Sequence, residues 1–215
     1  MSYKKSEATR KKILDAARAR FADKGYYATD LKEIAAGAGM AHTGVYYYFK
    51  RKQDIAEAIY AEETGAIIEE VERVRREETC DPLFLCILQY VMIVRRLAMA
   101  PVTEACFFDM INYRGYDRDE MKRVRNSYYA ALDELFKSRG MDMTDDEMTI
   151  YILTSDAYAK ALLAAIKSGV IEYSVEEALD HFFRHLLLPD LGISFVEYTE
   201  CRDRVIKYLD ERKTI

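Results

Sequence analysis

A chain of 215 residues that is half hydrophobic and about a third charged, with only 3 prolines and 9 glycines, is not a disordered segment, and it favours long helices over sheets. Its formal charge of −5 hides a split, since residues 1–52 hold 12 Lys or Arg against 5 Asp or Glu while the remainder holds 20 against 32. The four cysteines, Cys80, Cys86, Cys106 and Cys201, form no CxxC pair and no regular spacing, which argues against a zinc site or disulfide framework and for a reducing compartment.

The amino-terminal stretch MSYKKSEATRKK lacks the apolar run of a signal peptide. Ser6 is placed to cap a first helix in which Ile13, Leu14, Ala17 and Phe21 recur at helical spacing, with Gly25 to end it. Arg10, Lys11, Arg18 and Lys24 occupy its other face. Thr29 then reads as the cap of a second, short helix, with Asp30 and Glu33 in its first turn and Leu31, Ile34 and Ala35 facing inward. Gly37-Ala38-Gly39-Met40 supplies a tight turn, and a third helix should begin at Ala41 or His42. Two short helices joined by a glycine-containing turn make a helix-turn-helix, whose second helix can enter the major groove of DNA.

Side chains on that third helix lie about 100° apart, so Tyr46, Tyr47 and Tyr48 cannot all point into one core. Val45, Phe49 and part of Tyr48 share a face with Met40 and should pack inward. His42, Thr43, Tyr46 and Tyr47 form the opposite stripe, made of hydrogen-bonding groups with flat apolar bodies suited to phosphate oxygens and thymine methyls. Lys50, Arg51 and Lys52 follow where a flanking phosphate would run. Taken alone, the run also fits tyrosines that merely cover a small core; the glycine turn and the basic charge of residues 1–52 favour the outward reading.

From Arg10 to Ile55 the pattern Ile13-Leu14, Ala16-Ala17, Phe21, Gly25-Tyr26, Thr29, Ile34-Ala35, Ala38-Gly39, Val45-Tyr46, Tyr48-Phe49, Lys52 and Ile55 resembles the DNA-binding domain of TetR-family transcriptional regulators. The family usually has a serine cap at the position of Ala41, and a glycine followed by Ser or Thr where this chain has Thr43-Gly44. The resemblance implies Thr29 and Lys52 on phosphates and Tyr46 and Tyr47 on backbone and base edges. The expected DNA-facing set is Thr29, His42, Thr43, Gly44, Tyr46, Tyr47, Lys50 and Lys52. It also implies an all-α fold: a three-helix DNA-binding domain over 7–67, with the start of a linker helix, and a larger ligand-binding and dimerisation domain over 68–215.

Beyond Lys52 a long helix should run to about Arg76, and Asp81-Pro82 opens an apolar segment reaching about Ala100. Its longest apolar run, Leu83 to Val94, is interrupted by Gln89 and falls short of a membrane span, so the chain is expected to be cytoplasmic with no membrane partner. Asn112 to Asp117 reads as a loop and 118–139 as a helix ending before Gly140. Three capping boxes, Thr144 with Glu147, Ser174 with Glu177 and Ser194 with Glu197, mark helices of about 145–168, 175–187 and 195–212. By resemblance 145–168 and 175–187 form a homodimer interface, and 195–212 is an addition to the family plan.

Phe84, Tyr90, Phe107, Phe108, Met110, Tyr113, Tyr128, Tyr129 and Tyr158 are aromatic or flexible apolar side chains that either pack the body's core or line a cavity for a small-molecule effector. Asp156, four residues before Lys160, is either neutralised by it or serves as the pocket's carboxylate. A rival reading takes Glu177, His181 and His185, at i, i+4, i+8, as a metal-sensing face. HExxH, GxSxG and phosphate-binding glycine loops are absent, so neither catalysis nor a cofactor is expected. The expected function is a ligand-responsive regulator acting on a double-stranded DNA operator, and by resemblance a repressor released by a small-molecule inducer.

Overall fold

The computed structural model describes residues 2–77, 81–99 and 129–212. Among these residues every regular element is helical: α1 (Ser2–Ala28), α2 (Leu31–Gly37), α3 (His42–Tyr48), α4 (Lys52–Glu77), α5 (Pro82–Met99), α6 (Ala130–Ser138), α7 (Asp145–Lys167), α8 (Val175–Phe182), a π-turn (Phe183–Leu187), α9 (Leu188–Leu191) and α10 (Phe195–Arg212). They divide into two compact units, one holding 2–65 with 97–99 and the other 66–77, 81–96 and 129–212, so that α4 contributes to both.

In the first unit Ile13, Leu14, Ala17 and Phe21 of α1, Ile34 and Ala35 of α2, Val45 and Phe49 at α3, and Ile55, Ala56 and Ile59 of α4 form one buried cluster. Ser6 is not a cap, because α1 already begins at Ser2. Gly25 breaks α1 as expected: its φ of 84° and ψ of 164° lie where only glycine is comfortable. That break redirects Thr29, whose buried hydroxyl donates to the Gly25 carbonyl at 2.8 Å. The cap of α2 is therefore Asp30 and not Thr29, with the Asp30 carboxylate accepting from the Lys32 and Glu33 N–H groups and Glu33 reaching back to Asp30 N. After α2 the chain turns at Gly39, φ +67°, with Met40 N donating to Ala35 O at 3.0 Å, a Schellman-type end that launches α3.

The second unit has its own core, drawn from α4 (Ile67, Val71, Val74), the whole of Leu83–Leu88 on α5, α6 (Leu132, Leu135, Phe136), α7 (Met148, Ile152), α8 and the π-turn (Phe182, Phe183), and α10 (Tyr198, Val205, Leu209). Asp81 accepts from Leu83 N, and the boxes at Thr144 and Ser174 close in both directions. At Ser194 only half of the box forms, since Glu197 N donates to Ser194 Oγ while the Glu197 carboxylate pairs with Arg139. The expected helix 175–187 becomes α8 followed by a π-turn, because Pro189 has no N–H to return to the His185 carbonyl. The added helix α10 is tied to its neighbours through Arg73–Tyr208, Arg95–Asp210 and the Tyr198 and Arg202 contacts with Asp180.

Candidate nucleic-acid interface and effector site

The short helix α3 turns Val45, fully buried, and Phe49 inward and keeps Tyr48 half-buried against the same core. That leaves Tyr47 81% and Tyr46 40% exposed beside exposed Thr43 and half-buried His42. The rings are braced: His42 meets Tyr46 edge-on at 5.0 Å between centroids, and Tyr47 meets Tyr48 edge-on at 5.3 Å. Gly44 is half-buried, and a Cβ there would come within 2.9 Å of the Met40 terminal methyl, so its smallness accommodates the turn.

The cations around this face are arranged differently from expectation. Lys50 is exposed, but Arg51 turns back on Asp54, which also accepts from the Lys50 and Arg51 N–H groups and so begins α4. Lys52 points inward: its ammonium donates to the carbonyls of Tyr26 at 2.7 Å, Tyr27 at 3.3 Å and Thr29 at 2.7 Å, and lies 4.3 Å from the Tyr26 ring centre. Those carbonyls are released by the break at Gly25, and the ammonium satisfies them. With Thr29 also buried, the two residues expected on phosphates instead hold the junction of α1, α2 and α4. On α1, Arg10 and Arg18 pair with Glu62, and Arg18 also with Glu63, so acids of α4 temper the basic charge that residues 1–52 carry.

The candidate effector residues separate in the second unit. Phe84 packs edge-on against Tyr208 with Arg204 over its ring, which makes it part of the anchoring of α10 and removes it from the candidate set. Tyr129 donates to the Asp156 carboxylate at 2.7 Å. Burial pushes that carboxyl up to about 6, against the lowering effects of the Tyr129 hydroxyl and Lys160. The Tyr90 ring lies 5.3 Å from both Phe182 and Phe183, and its buried hydroxyl has no hydrogen-bond partner among the described residues. The Tyr158 ring lies 6.0 Å from Phe182 and 6.2 Å from His181. Phe107, Phe108, Met110, Tyr113 and Tyr128 lie outside the described residues.

Among the described residues the metal-sensing face is not assembled as a set of three ligands. The Glu177 carboxylate is spent on Ser174 N at 2.7 Å in the capping box, and among the described residues no group of three His, Cys, Asp or Glu converges. His181 and His185 do meet, edge-on at 4.4 Å, and burial, then His185 and Arg184, hold the His181 pKa below its ordinary value.

Residues 13–59, which hold α2, α3 and the parts of α1 and α4 that build the first unit's core, match the family of bacterial regulatory proteins called tetR. Over that segment the chain is similar to TetR-family regulators. The fatty acid metabolism regulator protein of Bacillus subtilis (strain 168) is 38% identical over 66 residues, 31% of this chain and about a third (34%) of that protein's length. The HTH-type transcriptional regulator YvkB of the same organism is 29% identical over 143 residues, 65% of this chain and 73% of its own. Among solved structures, RolR in complex with resorcinol superimposes with a TM-score of 0.64 at 18% identity, covering 94% of this chain and 96% of that one. That likeness extends the shared all-α fold through the body, where sequence identity is low.

Proposed function

We propose that the chain is a homodimeric, ligand-responsive repressor that binds an operator through α3 and leaves it when a small molecule enters the body. Residues 7–67 serve as the DNA-binding domain and 68–215 as the ligand-binding and dimerisation domain. The observation that carries this reading is the outward aromatic face of α3 in a family-matched helix-turn-helix, with Tyr47 81% exposed. In water such a ring gains nothing; in a major groove it meets base methyls and phosphate oxygens.

Two features of the body support the rest. Along α7 the residues Ile150, Thr154, Ala157, Ala161 and Ala164 are exposed at spacings of four and three, while Met148, Ile152 and Leu162 hold the other face in the core. Small side chains in such a row let a second copy of α7 approach closely, in keeping with the common dimeric state of the family. The effector site is assigned to Tyr90, Tyr129, Asp156 and Tyr158, where a hydroxyl without a partner among the described residues and a half-buried carboxyl sit among aromatic rings. RolR holding resorcinol provides the analogy for a small organic effector. A ligand that binds better to a conformation unfit for the operator weakens DNA binding by its differential affinity, commonly 1–3 kcal/mol of coupling.

The test is to sequence the genomic fragments that the purified protein retains, and then to screen small molecules for release of the retained fragment. A single palindromic site released by one chemical class is the expected result. Retention of random fragments only, or of none, overturns the reading.

A further inference from the structure

The residues that α3 presents also limit how it can read bases. Guanine is read in the major groove by the forked or multiple donors of Arg or Lys on O6 and N7, adenine by the amide of Asn or Gln on N6 and N7, and cytosine by a carboxylate on N4. From His42 to Tyr48 the helix reads HTGVYYY and contains none of these six residue types. Of the nearby cations, Lys52 is committed to three carbonyls and Arg51 to Asp54, and exposed Lys50 lies past the end of α3, after the buried Phe49. What α3 presents is two flat apolar rings, Tyr46 and Tyr47, held in place by edge contacts with His42 and Tyr48, and the methyl-bearing Thr43. The major-groove feature complementary to such surfaces is the 5-methyl group of thymine.

We infer that this helix recognises its operator through thymine methyl groups, read by the ring bodies of Tyr46 and Tyr47, while the tyrosine hydroxyls bond to phosphate or water. The inference rests on α3 being the DNA-reading helix and adds the base it selects. Its energetic logic is apolar burial: a methyl group taken out of water by a tyrosine ring contributes through contact area, which tolerates small shifts of the helix that a bidentate hydrogen bond does not. The half-site core is accordingly thymine-rich on the strand facing α3, and guanine N7 atoms there are dispensable.

The test uses the whole chain, its Tyr46 and Tyr47 variants, and the captured operator. Each thymine of one half-site is replaced by uracil, which removes only the methyl, and each guanine by 7-deazaguanine, which removes only the N7 acceptor; uracil placed outside the site is the control. One or two uracil positions should weaken binding by about fourfold each, the effect of one buried methyl, with 7-deazaguanine changing affinity less than about twofold. Tyr47→Ala or Tyr46→Ala should abolish the penalty at one of those positions, and Tyr47→Phe should keep it. Uracil without effect at every position, a strong 7-deazaguanine penalty, or methyl sensitivity that persists in both alanine variants overturns the inference while leaving α3 as a DNA-binding element. If no fragment is retained at all, the DNA-binding reading fails and the inference fails with it.

Discussion

Among the described residues two very different helix faces are left unburied, and the contrast between them matches the two tasks proposed for the chain. On α3, seven residues long, the outward face is made of large hydroxylated rings; on α7, with 23 residues, it is a row dominated by alanines. Both helices bury an apolar stripe on the core of their own unit. Large rings with polar tips suit a groove that is wet at its rim and apolar at its thymine methyls, whereas small side chains suit another helix at close range. What a face withholds from the core is therefore as informative as what it buries.

The largest expected way to break this contrast lies on α7. Ala161→Glu puts a carboxylate on the exposed row without touching the core, and in a self-facing interface it meets its own copy. Sedimentation equilibrium should show a monomer of unchanged helicity; a variant that remains dimeric would move the interface elsewhere.

Next in size is Lys52→Ala. Because the ammonium holds three carbonyls of the α1–α2 junction, its loss should destabilise the first unit by about 1–3 kcal/mol. Where the variant is folded, the slope of log affinity against log salt should stay within about half a unit of the parent's. A slope lower by about one unit with unchanged melting would place Lys52 on a phosphate after all.

A smaller effect is expected at Asp156. Its folded pKa of about 6 lies above the ordinary carboxylate value of 3.8, so the folded state holds this proton more tightly and the group's contribution to stability falls as pH rises through that window. Asp156→Asn, which can still accept from the Tyr129 hydroxyl, should flatten that part of the pH profile and raise stability at pH 7 by on the order of 1–2 kcal/mol. A decrease at pH 7 would show that the ionised carboxylate is favourably paired.

Much of the first unit was legible in the sequence. The 100° step between neighbours sorts Val45 and Phe49 from Tyr46 and Tyr47 without any tertiary information, and the glycine turn fixes where α3 starts. What could not be read is where hydroxyls and ammonium groups go once the chain is folded. Thr29 and Asp30 are both good caps in isolation, and only the carbonyl freed at Gly25 decides between them. Lys52 likewise looks like a surface cation until the same break supplies its acceptors. In the body, the reciprocal capping boxes marked two helix starts because they are local, but the π-turn and the removal of Phe84 to the anchoring of α10 depend on contacts far apart in sequence.

The central proposition is that the outward face of α3 binds DNA, and the most direct test pairs operator titration with thermal unfolding for Tyr47→Ala, using Phe49→Ala as the contrast. Tyr47→Ala should lose most operator affinity with a melting midpoint within about a degree or two of the parent, while Phe49→Ala, 5% exposed, should destabilise the first unit by about 3–5 kcal/mol. Full operator affinity in folded Tyr47→Ala would contradict the account.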